Sequence, residues 1–171
     1  MGVFITNDGW VLTVGLPQTT GSILVATSDL QFYNVEKTVR DEPSGFVFLK
    51  IDGSGFTIAG LADSAEVGQS VATVGLNTDL ALIRSLNSVS SGRNNYIFST
   101  EAFPYYFEID RVRPLGTPVF NLNKELIGLT VNDSGRALVL PVKNVSRRWD
   151  SILFQNNYKQ HVYIEFFNTL N

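Results

Sequence analysis

Short apolar runs of about four to seven residues, spaced with a period close to two and cut by turn-forming residues, make up nearly the whole chain. Val3-Phe4-Ile5 runs into Asn7-Asp8-Gly9 and returns as Trp10–Val14. Asn, Asp and Gly tolerate the positive φ angles of a tight hairpin, so the chain reverses there. The same grammar gives Ser22–Ala26 and Gln31–Val35 around Ser28-Asp29, then Phe46–Ile51 ending in Asp52-Gly53-Ser54-Gly55, then Ser70–Val74 and Ala81–Ser90. After a polar break at 90–95 come Tyr96–Ser99, Tyr105–Ile109, Val119–Asn121, Leu126–Val131 and Ala137–Leu140. A pattern of this period cannot settle as helices, and many short strands between frequent turns mean a barrel or a sandwich. One stretch departs from it. Val142, Val145, Trp149 and Ile152/Leu153 have helical spacing, which predicts a helix near 142–155. Beyond a polar gap, His161–Phe167 alternates again as a strand.

The 171 residues suffice for one large domain or two small barrels with a common interface. At 44% apolar and 17% charged the composition is that of a folded core, not of a disordered segment. A net charge of −3 with only scattered basic pairs excludes a nucleic-acid surface, which needs clustered Lys and Arg to neutralise phosphates. With no cysteine, disulfides, thiolate nucleophiles and sulfur-bound zinc are ruled out. No run is long enough to span a membrane. The opening residues are not a signal peptide, and a strand beginning at residue 2 leads us to expect a longer protein whose upstream part anchors or exports this one.

Several fragments, in order, resemble the trypsin-like serine proteases, and most closely their bacterial HtrA/Deg branch. GVFITNDGWVLTVGLP is similar to the family's opening strand, Asp-Gly hairpin and strand ending in the catalytic His. SGFVFLKIDGSG resembles the strand that the catalytic Asp opens. AGLADSAEVGQSVATVGL, ALIRSLNSVSSG, GTPVFNLNKELIGLTV and ALVLPVKNVSRRWDSIL continue the likeness through residue 154. The resemblance implies an all-β chain of two six-stranded-type barrels with one C-terminal helix. The expected divisions are a first barrel over 1–78, a second over 79–140, a helix over 141–155 and an extension over 156–171.

It also implies where a catalytic triad would lie. The family's His falls on Leu16, its Asp on Gly45 and, counting back from Thr117-Pro118 across a shortened loop, its Ser on Leu115. None of the three can perform its role. A hydroxyl nucleophile needs a base within hydrogen-bond reach and a third group to orient that base. The single histidine, His161, lies outside the matched region, and Thr117 is the only hydroxyl in the turn 113–118. We therefore expect a non-catalytic, HtrA-like pseudoprotease that binds a protein or peptide partner. An atypical hydrolase with an unrecognised site, or a purely structural assembly domain, stands as the alternative.

Other chemistry is weaker. Asp52-Gly53-Ser54-Gly55 has the wrong order for an aspartic-protease loop and suits a hairpin. Glu101, Glu108 and Asp110 do not form a defined carboxylate pair, and Asp63, Glu66 and Asp79 lack metal-ligand spacing. No metal or cofactor is expected. The stretch EAFPYYF crowds Phe103, Tyr105 and Tyr106 around Pro104, and those three rings are candidates for partner contact.

Overall fold

The computed structural model describes residues 1–16, 21–42, 44–75, 77–88, 105–133, 135–146 and 149. Its first half is a five-stranded antiparallel sheet. The strands β1 (Gly2–Phe4), β2 (Trp10–Val14), β3 (Leu24–Ala26), β4 (Phe32–Asp41) and β5 (Phe46–Ile51) lie in the order β1-β2-β5-β4-β3. Strands β2 and β5 are buried on both faces, which is why they read as unbroken apolar runs and not as clean alternation. Val11, Val47 and Leu49 point to one side, where Phe4, Leu16, Ile23, Val25 and Val35 pack on them. Trp10, Leu12, Val14, Phe46 and Phe48 point to the other and meet Leu126, Leu129, Leu140, Val142 and Val145 from the second half.

That second half closes on itself. Here β7 (Ser70–Val74), β8 (Thr78–Ser88), β9 (Tyr105–Ile109), β12 (Arg136–Pro141), β11 (Glu125–Asp133) and β10 (Pro118–Phe120) follow one another round, and β10 pairs with both β11 and β7. The result is a six-stranded barrel around Val71, Ala81, Ile83, Ile109, Val119, Ile127, Ala137 and Val139. A two-residue strand, β6 (Gly60–Leu61), lies parallel to β11 on its outside.

The sheet of the first half differs from the expected six strands. Residues 53–59 hold the place beside β1 without regular structure: Ala59 N–H donates to Phe4 O (3.1 Å), Phe56 N–H donates to Asn7 O (3.3 Å), and the Phe56 ring stacks on Phe4 at 4.3 Å. The edge is thus covered by a loop instead of a strand, and this sheet is an open half-barrel. Pairing also places β7 with the second barrel, so the sheets change over within 52–59. The expected boundary between 78 and 79 lies at the β7–β8 hairpin, whose two strands pair with each other in one sheet.

The helix α1 (Lys143–Ser146) begins where expected, and Trp149, also helical, stands edge-on to Phe48 with ring centroids 5.8 Å apart. The rest of the expected helix, the strand Tyr96–Ser99, Phe103 and the segment with His161 lie outside the described residues. Among the described residues no helix is long and apolar enough to cross a membrane, and no three acidic or histidine side chains are grouped to hold a metal ion.

Candidate functional site

The turn 113–117 leads into β10 and lies across β11, so its backbone is held by a neighbouring strand. Gly116 N–H donates to Thr130 O at 2.8 Å, and Thr130 N–H donates to Thr117 O at 3.0 Å. Thr117 N–H is shared between Thr130 Oγ1 at 2.9 Å and Pro114 O at 3.2 Å. Both threonine hydroxyls then donate to Pro114 O, from Thr117 at 2.7 Å and from Thr130 at 2.6 Å. Arg113 ties the start of the turn to the barrel wall, its Nε on Thr73 Oγ1 at 2.9 Å and its guanidinium 3.2 Å from the Asp79 carboxylate. Thr117 and Thr130 are 2% and 1% exposed, so neither hydroxyl faces solvent.

From the first half, Met1 and Gly15 close on the same turn. The Met1 nitrogen donates to Leu115 O at 3.1 Å, and Met1 O accepts from Thr13 Oγ1 at 2.6 Å. A Cβ on Gly116, whose φ is +78°, would lie 2.3 Å from Met1 O. A Cβ on Gly15, at φ +64°, would lie 2.4 Å from Leu115 Cδ2. Both positions therefore require glycine, for conformation and for space. The Leu115 side chain fills the gap that the missing Gly15 side chain leaves.

The structure thus brings the segment 15–16 and Leu115 together. Leu16 itself turns away into the apolar cluster of Val11, Val47 and Leu49, and its carbonyl accepts from Arg40 Nη1 at 2.8 Å. Gly45 sits in a tight turn with φ +78°, its N–H donating to Asp41 O at 2.8 Å; a Cβ there would meet only Leu140 Cδ2, at 3.7 Å. Of the aromatic candidates, Tyr105 is half exposed, whereas Tyr106 packs against the shared core. Sequence reasoning missed Thr130, whose one visible signal is a lone hydroxyl inside the apolar run Leu126–Val131.

No family model matches this sequence, and no curated protein matches it. Solved structures do. The crystal structure of the inactive form of Rv3671c protease superposes with a TM-score of 0.69 at 20% identity, over 88% of this chain and 82% of that one. The fold is that of the trypsin-like, HtrA-type proteases. The HtrA-type protease AlgW, solved with a decapeptide, gives the same TM-score and identity over 89% of this chain, which spans 50% of the AlgW chain. In a trypsin-like fold, acyl transfer needs two things at the turn before the strand β10. One is a nucleophile touching a base, and the other is a set of backbone N–H groups free to bind the oxyanion. Here the residue before Leu115 is Pro114, which has no N–H to offer, and the two N–H groups that follow Leu115, those of Gly116 and Thr117, are bonded within the protein.

Proposed function

We propose that this chain is a non-catalytic trypsin-like domain, an HtrA-like pseudoprotease that serves as a protein-interaction or scaffold module. The observation that carries this reading is the turn 113–117, where Leu115 packs on Gly15 and Thr130 takes up the N–H groups of Gly116 and Thr117. On the alignment that puts the family's His, Asp and Ser at Leu16, Gly45 and Leu115, hydrocarbon and glycine stand where proton transfer would be needed. The turn's own hydroxyl, on Thr117, is buried and donates to a carbonyl, so it has no base to activate it. What such a fold retains is a rigid frame with backbone edges and side chains such as Tyr105 on which another polypeptide can lie.

The test is direct. Purified protein is incubated with unfolded casein and, separately, with a fluorophosphonate that labels activated serine and threonine hydroxyls. The expected result is no cleavage and no label. Phosphonate-sensitive cleavage of casein would reject the reading in favour of a hydrolase.

A further inference from the structure

The two halves treat their strand edges differently. Closure of the second barrel leaves its six strands without an open edge, and in the first half residues 56–59 cover β1. Among the described residues, no strand pairs with the opposite edge, the outer side of β3. Its ladder with β4 pairs Leu24 with Asn34, Val25 with Tyr33 and Ala26 with Phe32, and is extended by Val35 N–H to Ile23 O at 3.0 Å and Thr27 N–H to Gln31 O at 2.9 Å. In an antiparallel ladder, bonded residues alternate. Ile23, Val25 and Thr27 therefore bond to β4, and Leu24 and Ala26 aim their N–H and C=O groups outward, with no partner among the described residues.

Edges left bare in monomers are normally defended by charge, proline or a bulge. The outer side of β4 beyond this point has such defences, with a register shift between Val35 and Lys37 and the charged residues Glu36, Lys37, Arg40 and Asp41. Residues 21–28, Gly-Ser-Ile-Leu-Val-Ala-Thr-Ser, have none. On the exposed face beside this edge, Leu24 is 59% and Phe32 68% exposed, while Ile23 and Val25 point inward to the apolar cluster.

We propose that β3 is a homodimerisation edge, pairing antiparallel with β3 of a second copy of this chain about a two-fold axis at Val25. The segment is complementary to itself. With Leu24 opposite the second copy's Ala26, and the reverse, all four outward groups of each strand find a partner. Four hydrogen bonds form, and the large side chain faces the small one. Beyond each Ala26 lies Phe32, its partner across β4, so each Leu24 also approaches a ring. The stretch carries no charge, so two copies meet without like-charge repulsion although each chain has a net charge of −3. The two half-barrels then share one ten-stranded sheet. This goes beyond the non-catalytic reading and does not rest on it, since an active hydrolase would dimerise through the same edge.

Sedimentation of the whole chain from micromolar to millimolar concentration tests the proposal. The expected result is a reversible monomer–dimer equilibrium. Ala26→Pro removes an outward N–H that β4 does not use and, by symmetry, deletes two of the four bonds, so association weakens by roughly tenfold or more while the chain stays folded. Leu24→Lys gives the same loss by putting a charge on the edge. Because the chain has no cysteine, Val25→Cys supplies its only thiol. Across a non-bonded antiparallel pair the two Cα atoms are about 4.5 Å apart, within disulfide range, so mild oxidation yields a covalent dimer. Ser28→Cys, about 20 Å from its symmetry mate at strand rise, does not cross-link. A monomer at every concentration, a dimer indifferent to Ala26→Pro and Leu24→Lys, or cross-linking of Ser28→Cys in preference to Val25→Cys would each overturn the proposal.

Discussion

Replacing Thr130 by valine removes one oxygen and keeps the outline of the side chain. That oxygen accepts from Thr117 N–H at 2.9 Å and donates to Pro114 O at 2.6 Å. Neither backbone group is orphaned by the change. Thr117 N–H keeps its 3.2 Å bond to Pro114 O, and Pro114 O keeps the Thr117 hydroxyl at 2.7 Å. The loss is therefore two ordinary bonds at about 1 kcal/mol each, without the larger penalty of an unsatisfied buried group. Against it stands a buried methyl in place of a hydroxyl, a gain of about 0.8 kcal/mol. The net expectation is a destabilisation of about 1 to 1.5 kcal/mol, or a fall in Tm of roughly 2–6 °C for a chain of this size. Thr117→Val alone removes one such bond, to Pro114 O, and the buried methyl offsets most of it, so its cost is roughly a few tenths of a kcal/mol. In the double variant Pro114 O retains only the N–H of Thr117 at 3.2 Å, so the costs add to more than their sum, by about 1 kcal/mol. Urea unfolding, followed by tryptophan fluorescence and by circular dichroism with coincident transitions and constant m, gives all four corners of the cycle. A Thr130→Val variant as stable as the parent, or strict additivity with Thr117→Val, would refute the reasoning that β11 occupies the turn's hydrogen-bonding groups.

Two further predictions concern the same place. Gly15→Ala destabilises by more than about 2 kcal/mol, because a methyl would enter Leu115 and the residue would keep a left-handed conformation; adding Leu115→Ala relieves the overlap and restores about half of the loss in urea unfolding, and no rescue would mean the two residues do not touch. The triple variant Leu16→His, Gly45→Asp, Leu115→Ser neither cleaves casein nor takes up a fluorophosphonate, since position 16 points away from the turn into the cluster of Val11, Val47 and Leu49, Pro114 interrupts the turn's N–H donors, and position 45 needs φ +78°; turnover by that variant would show that these segments rearrange readily.

The strands were legible wherever one hairpin explains them. Asn7-Asp8-Gly9 reverses the chain at a glycine with φ +101°, and Trp10–Val14, Phe46–Ile51, Ser70–Val74 and Tyr105–Ile109 stand as read. Strand β4 runs on to Asp41, past the expected end at Val35, because residues 36–41, Glu-Lys-Thr-Val-Arg-Asp, hold a single apolar side chain on a half-exposed ribbon and so lack an apolar signature. Strand β6 is two residues long, and its partner β11 is some sixty positions away, so no local pattern announces it. The order of the fragments gave the trypsin-like architecture, yet not that the first half stays open. That depends on Phe56 and Ala59 bonding back to the opening hairpin. At the site, Leu115 and Thr117 could be picked out, but Thr130, Gly15 and Met1 are brought to them by tertiary structure alone.

The apolar face of β2 and β5 finds its cover in Leu126, Leu129, Leu140, Val142 and Val145, made roughly a hundred residues later. A ribosome delivering the chain from its N-terminus therefore releases Leu12, Val14, Phe46 and Phe48 well before anything can shield them. Contacts so distant in sequence form slowly, and the waiting surface is sticky. Until residues 126–145 are made, that face has nothing of its own chain to lie against.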